Sequence, residues 1–267
     1  MHPYEILGGY WKITLPTGRD GKAEEVLLSA LETYTGPHFY VNATGDGAVF
    51  MSPTRGPTTS SRTKYARSEV REMTADNKLA AWSTASGVHS MDVELSVDTV
   101  PQGEKPHVVV AQIHGGKDDV CVIRFEGSTT DRTIGKLWIT DGDNTRGHFV
   151  ANVRLGERIR VGFHAQNGII RFAFNGAPVA YEQRKNEKKC YFKAGCYIQT
   201  DEVLPAGADF AQVTIYQLTV AHSDVVKPVD PPADDFAKRL ASLEATFYAY
   251  KALVDGRFDA IKKAVTQ

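Results

Sequence analysis

YFKAGCYIQT, residues 191–200, separates into two chemically distinct sets when its side chains are assigned alternately to two faces, as in a β-strand. Phe192, Ala194, Cys196 and Ile198 make one apolar face. Tyr191, Lys193, Gly195, Tyr197 and Gln199 fall on the other, which carries two phenols, an ammonium and an amide. Two further segments behave alike. In HVVVAQIH, residues 107–114, Gln112 and His114 share a face with Val108 and Val110, while Val109, Ala111 and Ile113 take the opposite one, so a single face passes from apolar to polar along the strand. In RSEVR, residues 67–71, Arg67, Glu69 and Arg71 point together, and a glutamate between two arginines can hold both guanidinium groups in place. Each element alone has an ordinary explanation, such as a polar pair at a strand end or a solvated ladder of charges. As neighbours in one sheet, the three would form a continuous polar floor.

Outward from these segments the first 225 or so residues read as β throughout. YWKITLP, AVFMSP, SMDVELSV, DVCVIRFEG, KLWITD, RIRVGFHA, GIIRFAFNG and AQVTIYQLTV are alternating or β-branched runs separated by Gly, Asp and Asn turns. DGDN at 141 and QNG at 166 carry hairpin chemistry. Many short antiparallel strands in one stretch imply a sandwich or jelly roll over residues 1–226. Three prolines in KPVDPPADD then stop any sheet, making 227–235 a linker. Beyond it, 236–267 has helical spacing. Phe236, Leu240, Leu243, Phe247, Tyr250 and Val254 alternate steps of four and three until Arg257 interrupts the seam. An amphipathic helix packed back on the sheet body and a self-associating coiled coil both fit that pattern.

Composition narrows the function without naming it. Lys plus Arg (31) balance Asp plus Glu (32), so no global field points to nucleic acid, and any anion recognition is local. No apolar run reaches the roughly 20 residues needed to span a bilayer, and MHPYEILGGYW has neither the basic start nor the apolar core of a signal peptide. The chain is therefore expected to be mature, trimmed or exported by another route. Cys190 and Cys196 lie about 20 Å apart on one extended strand, too far to bond to each other. Cys121 could pair with either, but three reduced, buried thiols are the expectation.

RSEVR at 67–71, QIH at 112–114 and YFKAGCYIQ at 191–199 resemble, in that order, the three signature regions of the alginate lyases of polysaccharide lyase family seven. WKITLP at 11–16 is similar to that family's opening strand. The resemblance covers about residues 6–220 and leaves the linker and terminal helix outside. Val70 stands where the family more often has leucine, a change on the buried face. The resemblance implies an all-β jelly roll of two curved antiparallel sheets, a concanavalin-like sandwich, here followed by the helical tail. It also implies β-elimination on a 1,4-linked polyuronate with neither a metal nor an organic cofactor.

By that analogy Arg67 and Gln112 neutralise the uronate carboxylate, while His114 and Tyr197 serve as base and acid. Glu69, Arg71, Tyr191, Lys193 and Gln199 line the subsites, and Gly195 leaves room for the sugar chain. With an ordinary pKa of about 10, Tyr197 is an acid at neutral pH and a base only if nearby cations stabilise its phenolate, a field that Lys193 and the arginines could supply. Isoleucine at the centre of QIH accompanies activity on guluronate-containing blocks in the family, and Ile113 matches. The implied partner is an anionic polysaccharide, with no nucleic acid and no membrane; the heptad spacing of the tail, outside the resemblance, adds the expectation of a homo-oligomer through the terminal helix. The implied setting is extracellular, or a virion tail that cuts a host capsule. Three alternatives stay open: a lyase on another polyuronate such as glucuronan, a non-catalytic binding module, and a glycoside hydrolase. The last needs two facing carboxylates, and Glu69 is the only acid in the three motifs.

Overall fold

The structure is a computed structural model that describes residues 1–60, 63–141 and 146–224. From the N-terminus its strands are β1 (Trp11–Arg19), β2 (Lys22–Val26), β3 (Phe39–Val41), β4 (Ala48–Pro53), β5 (Arg67–Glu72) and β6 (Trp82–Ser83). The middle of the chain supplies β7 (Val88–Thr99), β8 (His107–His114), β9 (Asp119–Gly127), β10 (Ile134–Thr140) and β11 (Arg146–Arg154). Then follow β12 (Ile159–Gln166), β13 (Ile169–Phe174), β14 (Ala177–Arg184), β15 (Lys188–Ile198) and β16 (Phe210–Ser223). Two single-turn helices, Tyr4–Leu7 and Leu28–Leu31, are the helical elements among the described residues.

These strands form two antiparallel sheets. One runs β11-β10-β9-β8-β15-β5-β1-β2, with β6 pairing onto the start of β15, and the other runs β14-β13-β12-β7-β16-β4-β3. Alternation explains how they stack. Val70, Ala111, Ile113, Phe192, Ala194, Cys196 and Ile198 of the first sheet share one buried core with Phe50, Val93, Leu95, Val213 and Ile215 of the second. The architecture is all-β, in keeping with the expected jelly roll. The hairpin foreseen at QNG joins β12 to β13, with Asn167 and Gly168 at φ 52° and 72°, the two positive values that a tight two-residue turn requires. Cys121, Cys190 and Cys196 are all buried free thiols. A compact unit spans Met1–Asp224. The linker at 227–235, the helix at 236–267 and most of the DGDN turn lie outside the described residues.

The three polar segments are adjacent strands, as the sequence suggested. On β15, Lys193, Gly195 and Tyr197 face Arg71, Glu69 and Arg67 of β5, and Tyr191 and Lys193 face His114 and Gln112 of β8. The facing of β8 needs a correction. Val109 and Ala111 oppose consecutive residues Arg124 and Ile123 of β9, so Val110 is an extra, bulged residue. The bulge breaks the period of two, placing both Val108 and Val110 in the core and turning Val109 outward to the polar face beside Gln112 and His114.

Candidate active site

Arg67, Gln112, His114, Tyr197 and Gln199 line a single cleft of about 830 Å³ on the outer face of the nine-stranded sheet. Register sets their order along the strands. His114 stands level with Tyr191, Gln112 with Lys193, and Val109 with Tyr197, whose other neighbour is Arg67. The base and acid candidates thus lie toward opposite ends of the row, with Gln112 between them.

His114 is fixed in both tautomer and plane. Its Nδ1 lies 2.7 Å from the Gly115 carbonyl oxygen, so Nδ1 carries the proton and donates it there, leaving Nε2 as a lone-pair acceptor. The ring stacks on Tyr191 at 5.0 Å and 15°, and the Arg71 guanidinium covers Tyr191 at 3.7 Å from its ring centroid. Burial, reinforced by the Lys193 charge, lowers the histidine pKa, which keeps the imidazole neutral and basic near pH 7. Tyr197 sits under the Arg67 guanidinium, 3.6 Å from the ring centroid. Burial raises its pKa and Arg67 only partly opposes this, so the phenol keeps its proton. Of the cations that could stabilise a phenolate, Arg67 acts on Tyr197 in that sense but is outweighed by burial.

Beneath the cleft Glu69 gathers the donors. Only 1% exposed, it accepts hydrogen bonds from Arg67 Nη1 at 3.2 Å, from Gln112 Nε2 and from Lys193 Nζ. Burial alone would raise this carboxyl, but Lys193 and Arg67 outweigh it and hold it ionised. Glu69 therefore positions the groups that line the cleft and is itself covered. The expectation that it oriented both arginines is half met: Arg67 is bound to it, whereas Arg71 lies on Tyr191. Lys193 is likewise sealed in at 6% exposure, engaged with Glu69, and burial lowers its pKa. It serves the floor from below, and Tyr191 acts as a wall for His114. Gly195 also departs from expectation. At φ 139° its missing Cβ would stand 2.6 Å from the Ser68 carbonyl oxygen, 2.9 Å from Glu69 Cα and 2.9 Å from Cδ1 of the core residue Phe50, so the space it leaves is taken by β5 and the core and not by the cleft.

Several cleft residues escaped the sequence reading. Arg124 of β9 reaches in and donates from Nη2 to Gln199 Oε1 at 3.2 Å. Its signal was available, because Val122, Arg124 and Glu126 turn one face of DVCVIRFEG from apolar to charged, as in β8. Lys64, Tyr65, Lys117 and Asp118 come from loops, where no period marks direction. Asp119, across from His114, has its pKa pushed up to about 7 by burial and by the neighbouring Asp118. Among the described residues no group of three or more His, Cys, Asp or Glu side chains is placed to hold a metal ion.

Comparison with known proteins identifies the family. The family model described as alginate lyase matches residues 7–222. The solved alginate lyase from a Corynebacterium species is 37% identical, with a TM-score of 0.76, over 83% of this chain and 98% of that one. Alginate lyase AlgAT5 of polysaccharide lyase family 7 is 35% identical, with a TM-score of 0.74, over 84% of this chain and 99% of that one. A curated alginate lyase of Klebsiella pneumoniae is 25% identical over 82% of this chain and 90% of its own length. With the family match spanning nearly the whole compact unit and the three motifs meeting in one cleft, the chain belongs to the alginate lyases of polysaccharide lyase family 7.

Proposed function

We propose that the protein cleaves alginate by β-elimination, preferring guluronate-containing blocks and leaving 4,5-unsaturated uronate at the new non-reducing end. The observation that carries this reading is the pairing, in one cleft, of a neutral His114 with a free Nε2 and a protonated Tyr197. A uronate C5 proton is hard to remove because the adjacent carboxylate already bears a negative charge that enolate formation would double. Arg67 and Gln112 meet that charge. Glu69 takes one N–H from each, leaving others to point at the carboxylate oxygens, where hydrogen bonds strengthen as charge builds in the transition state.

Nε2 of His114 then removes the C5 proton, the electron pair forms the C4–C5 double bond as the C4–O4 bond breaks, and the Tyr197 hydroxyl donates its proton to O4. In guluronate the C5 hydrogen and O4 lie on opposite faces, which suits two separate groups. In mannuronate they share a face, and one residue would have to act as both base and acid. A phenol whose pKa is raised is poorly suited to start as the base. That mismatch supports the guluronate preference.

Ultraviolet absorbance of the unsaturated product, followed on polyguluronate, polymannuronate, mixed alginate and glucuronan, tests the reading. Turnover should be highest on guluronate-rich blocks. Tyr197→Phe should lower turnover by about 100-fold or more on every substrate with little change in binding, whereas His114→Ala should harm guluronate cleavage more than mannuronate cleavage. Equal losses on both polymers from His114→Ala would sink the division of roles, and faster turnover of glucuronan would reassign the substrate.

A further inference from the structure

The polar floor does not stop at the cleft. Arg124, which lines it, is the direct cross-strand partner of Trp138 on β10, and Trp138 is the partner of Phe149 on β11. Leu137 and Ile139, flanking Trp138, are both 1% exposed in the core, so the indole projects to the cleft side of the sheet. On β11 a bulge at Val150 shifts the register and gives Phe149 that same direction. The two rings meet edge to face, with centroids 5.5 Å apart at 70°. Phe149 is 42% exposed, on the edge strand of the sheet. Edge strands ordinarily carry charged or polar side chains that discourage contact, and a phenyl ring left in water forgoes the gain of burial. Lys136, also exposed, stands two residues before Trp138 on the same face.

We propose that Trp138 and Phe149 form a distal sugar-binding platform, on which the polymer stacks after leaving the cleft while Lys136 meets a uronate carboxylate. Strands lie about 4.8 Å apart, so β10 and β11 are two and three steps from the Gln112 row, a distance that a few linked sugar rings span. A pyranose offers a C–H face to an aromatic ring while its hydroxyls and carboxylate stay at the rim, the amphipathic match that Trp and Phe provide. The occupant is the same polyuronate chain, because the platform continues the cleft through Arg124 without an intervening strand. This inference rests on the polyuronate reading of the cleft.

The test separates the two ideas. Phe149→Ala, at an exposed ring, and Trp138→Leu should each raise KM for long alginate by about fivefold, the order one aromatic contact contributes. Turnover at saturation, and kcat/KM on oligosaccharides short enough to sit within the cleft, should be unchanged. An unaltered polymer KM in both variants overturns the platform, and a lowered melting temperature with unaltered KM identifies the ring pair as a staple of the β10–β11 hairpin instead. Were the wild type to cleave no polyuronate, the function reading would fail. Retardation in an alginate-containing gel, expected for the wild type and weakened in Phe149→Ala, would still decide the platform.

Discussion

His114 meets the two requirements of a general base, orientation and protonation state, through separate neighbours. Gly115 sets the tautomer and Tyr191 the plane, while burial and Lys193 set the charge. The lowered pKa has a sign that can be checked. The imidazole stays deprotonated below the ordinary histidine value of about 6.5, so the acid limb of kcat/KM should fall below that pH. Any stability linked to this group is present above about pH 6.5 and lost as the pH falls toward the folded pKa, because there the unfolded chain binds more protons. An acid limb at or above 6.5 would mean that His114 is not the base. At this scale the sequence was legible where alternation is strict. The side chains of 191–194 and 196–199 lie on the faces that parity assigned, whereas at Gly195 the register slips and the missing Cβ is directed at the core ring of Phe50; parity also says nothing of depth. It could not tell that Glu69 and Lys193 lie beneath the cleft surface, because a buried ion pair and an exposed one share the same spacing.

At the scale of elements, the runs most plain in the sequence are interior strands of the two sheets. The four longer strands it did not mark, β2, β3, β11 and β14, are the four edges. An edge strand pairs on one side only and buries less. β14 has a single buried residue, Gln183, and β2 alternates charge with two buried positions. The hydrophobic period that identifies a strand is weakest where the sheet ends. Bulges are the second blind spot, since the extra residue at Val110 reverses facing without changing composition. Gly195 belongs at this scale too, because β5 occupies the place of its missing side chain. Gly195→Ala should destabilise the fold by about 1–3 kcal/mol through overpacking, with strain at a positive φ adding to it. A denaturant midpoint equal to that of the wild type would show that β5 can yield.

For the whole molecule, the compact unit ends at Asp224, just before the proline-rich segment. All the cleft residues precede that point. A chain truncated after Asp224 should be a monomer with unchanged turnover on short oligosaccharides. The full chain should self-associate through the heptad spacing of 236–254, and several clefts on one assembly would raise avidity for a long polymer. Light scattering giving 29.3 kDa for the full chain would rule out the oligomer, and activity lost on truncation would favour a helix that packs on the sheet. The sequence sets its boundary at 226 from composition alone, whereas the loops that supply Lys64 and Lys117 to the cleft wall carry no comparable mark.

The three cysteines set how the molecule matures. All are free, and Cys121 and Cys196 lie in the adjoining regions of the large sheet around β8 with thiols that burial holds in the unreactive protonated form. No disulfide ties the native pairing, so refolding calls for neither oxidant nor thiol exchange. What refolding has to recover is non-local pairing, which brings residues 67–72, 107–114 and 188–198 side by side. The folded enzyme handled in strong reductant is therefore the same molecule as the enzyme handled without it.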